Sequence, residues 1–532
     1  MKVLIKRIWK KHSKSIIFII VLSIFMPIIS NIIPKLSQHL FDDGIIKKDK
    51  DFIIGITILI IFFNAVKYLL NNTIKKKIIN MNFKTISLLK KEIISSVVNL
   101  PMIFHDKNST EYILGRVNEV DNLSNIFSDE LVTFIINFIT SIVAFILIVK
   151  KNIVIAICSI AFIPIFIFIC KKTFTKINQQ ITDSLETSAK TNEEMYSILQ
   201  GTMTLKQFNE EGTLLQELNS SIDKLSYTLM NKSLTVNNNT NLITFTTITI
   251  QAFLLCIVST FIVSGELNIG DYISLGQYIS LIYVPVISYQ SIGISIKPAL
   301  VSINRLKDLY KNSKDDKKYQ ILNIDRVVMK NLTFSYSNNK ELIKDINLEL
   351  KIGDKLLISG KNGCGKTTIA KLLLGFYDNY EGSILINGNE VKSVNEEALR
   401  DRISLLPQKC HLFNTSILEN IRISNNKLSD IEFNKKIEEL TELNLFDGID
   451  LYSQCIDNGK NLSGGQIQRI SLARILIRDF DMCIFDETTN SLDGQTKKII
   501  KNIIKAKFNN KICIFISHDD YFDDLINIYL NL

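Results

Sequence analysis

The stretch LLISGKNGCGKTTIAKLLLG, Leu356 to Gly375, runs from an aliphatic segment through a glycine-punctuated loop into a second apolar segment. Gly360, Lys361, Asn362, Gly363, Cys364, Gly365, Lys366 and Thr367 fit G-x-x-x-x-G-K-[ST], with Thr368 next in line. The pattern predicts a strand over Lys355–Ser359, a loop over Gly360–Lys366 and a helix from Thr367. Backbone N–H groups of such a loop point inward and, with the helix start, form a nest for oxyanions. Lys366 is placed to reach the β- and γ-phosphates of a nucleotide. The Thr367 hydroxyl is placed to take one position on Mg²⁺.

What lies upstream is different in kind. The chain has 532 residues, enough for two or more domains, and 46% of them are hydrophobic. Long Ile, Phe and Leu runs fill the first three hundred residues. The last two hundred read as ordinary globular sequence. A bilayer core of ~30 Å needs roughly 20 apolar residues in a helix. Six segments qualify: 15–36, 52–70, 131–149, 153–170, 242–264 and 272–296. Their interiors are nearly free of Asp, Glu, Lys and Arg. On that reading no residue within them serves a proton relay or pairs ionically with a substrate.

The net charge of +9 does not point to nucleic acid. The lysines cluster beside apolar runs (Lys6, Arg7, Lys10, Lys11 and Lys14; Lys75, Lys76 and Lys77), where they flank spans on the cytoplasmic side of a lipid bilayer. That rule puts the N-terminal tail inside, with the connections 71–130 and 171–241 and the C-terminal part; Lys150 and Lys151, in a short outer turn, run against it. The apolar stretch after the basic N-terminus is long and has no small-residue cleavage site, so it reads as a first span and not a signal peptide. Eight scattered cysteines form no C-x-x-C pair and read as reduced thiols. The fifth span opens TVNNNTNLITFTTITIQ (Thr235 to Gln251), and the sixth carries Tyr278, Tyr283, Tyr289, Gln290 and Ser291. In lipid such groups either line a water-filled path or join helices.

From Leu322 onward, short strands alternate with glycine turns and amphipathic helices, as in an α/β domain. MCIFDE (Met482 to Glu487) is an apolar strand ending in two carboxylates. Asp486 is placed to hold Mg²⁺ and Glu487 to polarise an attacking water. NLSGGQIQRISLAR (Asn461 to Arg474) supplies a second anion site, with Ser463, Gly464, Gly465 and Gln466 at a helix start. Two phosphate-binding helix ends for one nucleotide imply a two-fold dimer with the nucleotide shared between subunits.

With these motifs the chain resembles the ATP-binding cassette exporters, of the half-transporter class with six spans followed by one nucleotide-binding domain. The resemblance covers nearly the whole chain. It implies an all-α transmembrane domain over 1–310 and an α/β P-loop ATPase domain over 322–532, with ATP and Mg²⁺ as cofactors. It implies that Tyr336 in NLTFSYS stacks on adenine and that Gln408 in LLPQ senses Mg²⁺. Asp493 in NSLDG would lie in a loop crossing to the opposite site, and His518 in FISHDD would contact the γ-phosphate. EYILGRVNEVD (Glu111 to Asp121) and EEMYSILQGTMTLKQFNEE (Glu193 to Glu211) look like the family's intracellular loops, whose short transverse helices dock on the nucleotide domains.

The expected partner is a second half-transporter subunit, the same chain or a related one, in the cytoplasmic membrane. The uncharged fifth and sixth spans suit export of a small, bacteriocin-type peptide; multidrug or lipid export is the alternative. A non-pumping ATP-gated channel or sensor is the reading from another class. No cysteine-protease domain precedes the spans, so leader cleavage is not expected. Cys364, inside the phosphate loop, is expected to be shielded from alkylation by bound nucleotide.

Overall fold

The computed structural model describes residues 2–127, 129–310, 319–336, 341–487, 494–517 and 520–532. Contacts divide the chain into two compact units, Met1–Leu100 with Asn108–Asn312 and Pro101–Lys107 with Ser313–Leu532.

The first unit is helical. Among the described residues six helices are long and apolar enough to cross a membrane: Lys11–Ile45, Lys50–Val98, Asp129–Lys151, Ile153–Gln200, Gly212–Val263 and Ile269–Leu306. The second, fourth and fifth run to 49, 48 and 52 residues, more than twice what a bilayer needs. The fourth is broken once, at Phe162, because Pro164 enters the following turn and withholds an N–H. Short polar residues mark the helix starts. Asn152 accepts hydrogen bonds from the Val154 and Ile155 amides, and Asn268 forms a reciprocal cap with Asp271.

Polar groups within the spans mostly hold helices together or bond to their own backbone. The Tyr278 hydroxyl donates to the Asn31 carbonyl at 3.1 Å, and that of Tyr283 to the Ser159 carbonyl at 2.8 Å. Both rings are buried. Thr240, Thr244, Thr246, Thr247 and Thr249 each donate to the carbonyl four residues back. Of the two roles open to these groups in the sequence, the two tyrosines take the helix-joining one. Lys151 also finds its explanation here. Its ammonium pairs with the Asp271 carboxylate and donates to Gln38 Oε1 at 2.6 Å, and both charged side chains are largely buried.

Span 52–70 is not charge-free. Lys67 stands within it, and among the described residues it is the only Asp, Glu, Lys or Arg between Asp51 and Lys75.

The second unit holds two sheets. Strands β1 (Arg326–Phe334), β2 (Ile343–Lys351), β3 (Lys355–Ser359), β4 (Glu381–Ile386), β5 (Asn389–Glu390), β6 (Ile403–Leu406), β7 (Met482–Asp486), β8 (Ile512–Ile516) and β9 (Ile528–Asn531) are arranged as an antiparallel sheet ordered β2-β1-β4-β5 and a parallel sheet ordered β6-β7-β8-β3-β9. Every residue of β7 and β8 is buried, as expected where helices cover both faces of a parallel sheet.

Pro101–Lys107 belongs to this second unit although it lies between the second and third spans in sequence. Ile103 packs against the core that holds β1, β3 and β4. Asp106 accepts a hydrogen bond from the Tyr377 hydroxyl and pairs with Lys371 at 3.6 Å. Besides Glu193–Glu211, which falls in the first unit, the sequence placed docking at Glu111–Asp121. Those residues direct their charges within the first unit: Glu119 to Arg116 and Arg305 at 2.8 and 3.3 Å, and Asp121 to Lys90 at 2.8 Å.

Removing one partner of a largely buried ion pair strands the other. Asp271→Ala is therefore expected to destabilise the protein by about 3 kcal/mol. Adding Lys151→Met should recover most of the loss, as thermal unfolding of the two variants in detergent will show. An additive double variant would mean the pair does not couple.

Candidate functional site

Strands β3, β7 and β8 are parallel, so their C-terminal ends open on one edge of the sheet, where α/β proteins place ligands. Ile358 of β3 and Asp486 of β7 are both in register with Ile516 of the intervening β8. The loop after β3 and the carboxylate ending β7 are thereby brought together across one strand.

The loop depends on glycine at two points. Gly360 has φ +146°, and a Cβ there would stand 2.7 Å from the Leu532 carbonyl oxygen. Gly365 has φ +106°, and a Cβ would meet Ile343 at 2.9 Å. Gly365 then serves as the N-cap of the helix Lys366–Leu373. The buried Lys366 ammonium folds back into the loop, donating to the carbonyls of Gly360 at 2.8 Å and Lys361 at 3.3 Å. Thr367 Oγ1 donates to Asp486 Oδ1 at 3.1 Å. Cys364 is half-buried, with its sulfur against Gly360.

Asp486 is nearly inaccessible, at 3% exposure. Burial pushes its carboxyl pKa up, and the neighbouring Glu487 charge adds to this, whereas the Thr367 hydroxyl and the nearby Lys366 and Lys371 charges oppose it. Glu487 has φ +48°, a left-handed conformation unusual for a residue with a side chain. Its amide donates to the Ile516 carbonyl at 2.8 Å, and its carboxylate accepts from Gln408 Nε2 at 2.5 Å. Gln408, just past β6, is itself held by Gln468, whose amide donates to the Gln408 carbonyl at 3.4 Å.

Tyr336 is 43% exposed, and its hydroxyl shares a hydrogen bond with Thr368 Oγ1 at 3.1 Å. Tyr377, which the sequence reading did not single out, crosses it edge to face at 5.4 Å. Burial and the bond to Asp106 push the Tyr377 phenol pKa well up. A chain of contacts thus leads from Asp106 through Tyr377 and Tyr336 to Thr368 beside the phosphate loop. Only the tertiary fold reveals it, since 271 residues separate Asp106 from Tyr377.

Ser463 caps the helix Gly464–Ile477 reciprocally with Gln466: its hydroxyl accepts from the Gln466 amide at 3.2 Å, and its own amide donates to Gln466 Oε1 at 2.8 Å. Ser463 and Gly464 are exposed. Residues of this helix pack in a hydrophobic cluster separate from the one beneath the phosphate loop. Asp493 and His518 lie outside the described residues.

This donor set suits a magnesium nucleotide. A buried ammonium and a helix start share one loop, and the hydroxyl of Thr367 donates to a buried carboxylate. The loop, carboxylate pair and capped serine-glycine helix define a P-loop nucleotide-binding domain.

Family models agree with this reading. That of the ABC transporter transmembrane region matches residues 16–286, more than half the chain, and that of the ABC transporter matches residues 343–490. The chain belongs to the ABC transporter family, and its second unit carries the family's ATP-binding domain. The mitochondrial iron-sulfur clusters transporter ATM1 of Candida glabrata is 30% identical over 334 residues, 59% of this chain and 45% of that protein. The pediocin PA-1 transport/processing ATP-binding protein PedD of Pediococcus acidilactici is 26% identical over 446 residues, 79% of this chain and 59% of that protein. The chain thus spans about half the length of these relatives. A solved bacterial Atm1-family ABC exporter with ATP bound shares the fold, with TM-score 0.87, 18% identity, and coverage of 98% of this chain and 94% of that one.

An acid with a raised native pKa destabilises the fold once ionised. The penalty is absent below the unfolded carboxyl value of about 4 and grows as pH rises through the native pKa. Nucleotide-free Asp486→Asn should therefore melt higher than the native protein near neutral pH, with the gap closing toward pH ~4. A gap that does not change with pH would show that Asp486 carries no such penalty.

Proposed function

We propose that the chain is an ATP-driven exporter subunit that works as a dimer. The observation that carries this is the pair Asp486 and Glu487 at the end of β7, one bonded to the phosphate-loop Thr367 and the other to Gln408. Lys366 and the loop amides hold the phosphates, and Thr367 with Asp486 would hold Mg²⁺, with Gln408 beside them. That ion, when bound, neutralises charge on the β- and γ-phosphates. Glu487, fixed by its amide bond to Ile516 and by Gln408, orients and deprotonates the attacking water. Tyr336, half exposed beside Thr368, offers a ring face to adenine. Asp493 and His518 complete the site as the resemblance implies.

The serine-glycine helix start of one subunit closes on the phosphate loop of the other. Two copies of this chain suffice, because each carries both halves of the composite site; a related second chain would serve equally. Pro101–Lys107, continuous with the second and third spans, is the route we assign for passing closure to the membrane. The nucleotide domain then faces the cytoplasm. The expected cargo is a small peptide, a reading supported by likeness to PedD.

Two measurements test this. Glu487→Gln in nanodiscs should lower ATP turnover at least ~100-fold while nucleotide stays bound, since general-base catalysis contributes about 10²–10⁴. Unchanged turnover would remove Glu487 from its role. In inverted vesicles, labelled peptide should accumulate with ATP and fail to do so in the variant. Flux that ATP opens but that never exceeds equilibrium would replace the pump with a channel, and accumulation of drugs or lipids alone would replace the peptide. In the same preparations, nucleotide should slow alkylation of Cys364 several-fold. Equal rates with and without nucleotide would place the thiol away from it.

A further inference from the structure

Within the first unit lies an open cleft of ≈ 500 Å³, in the range that accepts a drug-sized ligand. Lys67 lines it, together with Ser30, Ser280, Tyr272 and apolar walls that include Leu255 and Leu281. Among these lining residues Lys67 is the only Asp, Glu, Lys or Arg. The amides of Gln251 and Gln277, also in the lining, already donate to the Gly276 carbonyl and the Ser37 hydroxyl, both at 3.3 Å. The nearby Lys151 is neutralised by Asp271.

Depth makes this lysine unusual. It precedes Lys75 by eight residues on one unbroken helix, about 12 Å at 1.5 Å per residue, and follows Asp51 by about 24 Å. Lys75 marks the aqueous end, paired with Asp129 at 2.9 Å. Lys67 is half-buried at the cleft wall. An ammonium within a span is costly and persists where it faces a partner or a polar cavity. No carboxylate lines this cleft.

We propose that Lys67 and its cleft form a binding site for the anionic end of an amphipathic substrate. The Ser30, Ser280 and Tyr272 hydroxyls supply further donors, and the aliphatic wall takes the adjoining apolar part. This deepens the export reading and rests on it for the direction of transport. A peptide C-terminal carboxylate and a lipid phosphate share the required chemistry.

Binding to the full chain in phosphatidylcholine nanodiscs without nucleotide distinguishes the two. One arm compares a labelled apolar hexapeptide bearing a free C-terminal carboxylate with its C-terminal amide. The other compares phosphatidic acid with diacylglycerol as competitors. In at least one arm the anionic member should bind tenfold or more tightly; Lys67→Met should abolish that preference and Lys67→Arg retain it. A preference in the first arm assigns a carboxylate, in the second a phosphate. No preference in either arm of the native protein, or one that survives Lys67→Met, overturns the site. ATP turnover is read on the same samples. Loss of turnover in the native protein with the preference intact would overturn the pump and leave the site standing. Turnover without preference would do the reverse.

Discussion

A carboxylate buried at the end of a fully apolar strand sets the terms for the nucleotide domain. Asp486 has little access to water, a like-charged neighbour in Glu487, and the Thr367 hydroxyl as a direct donor. Burying an anion without a cation is unfavourable, and the rise in its pKa expresses that cost. The sheet enforces the placement: β8 is in register with both β3 and β7, so a one-residue slip would turn Asp486 onto the opposite face. The divalent cation proposed to accompany the nucleotide would relieve the penalty at this place in the packing of three strands.

How much of this the sequence disclosed depends on how local each constraint is. The phosphate loop was legible because glycine at positive φ, lysine and threonine must stand at fixed spacing for the backbone to wrap an anion. The carboxylate pair and the serine-glycine helix start were legible for the same reason. Tyr377 and Asp106 were not, because their meeting rests on distant segments finding one another. Of the two docking stretches read from the sequence, the first falls a few residues too late, where charges are dense. The Met102, Ile103, Phe104 cluster that precedes them supplies the apolar anchor, and Ile103 is the residue that packs into the core.

The membrane half shows the opposite imbalance. Six apolar stretches announce themselves by length alone, yet the roles of polar groups inside them cannot be read from composition. Threonines that looked available for a path satisfy themselves on their own helix, and Tyr278 and Tyr283 join helices through backbone carbonyls. Lys151, which opposed the charge rule, is half of an ion pair. Lys67 escaped notice because a single charge barely moves a window average, although its position gives it more consequence than most of the exposed lysines.

The arrangement around Ser463 bears on the proposed dimer. Its hydroxyl and backbone amide are both engaged with Gln466, which rigidifies the turn and leaves the exposed Gly464 at the positive end of a fourteen-residue helix. A second anion-ready helix start lies at Lys366, supported by a different hydrophobic cluster. Among the described residues, the polar contacts of Ser463 and Gln466 run to one another and to Gly448, and none reaches the phosphate loop. In the proposed dimer, the γ-phosphate on this loop would meet the Ser463 turn of a second subunit, and with a second copy of this chain two-fold symmetry would double the arrangement without any new residue.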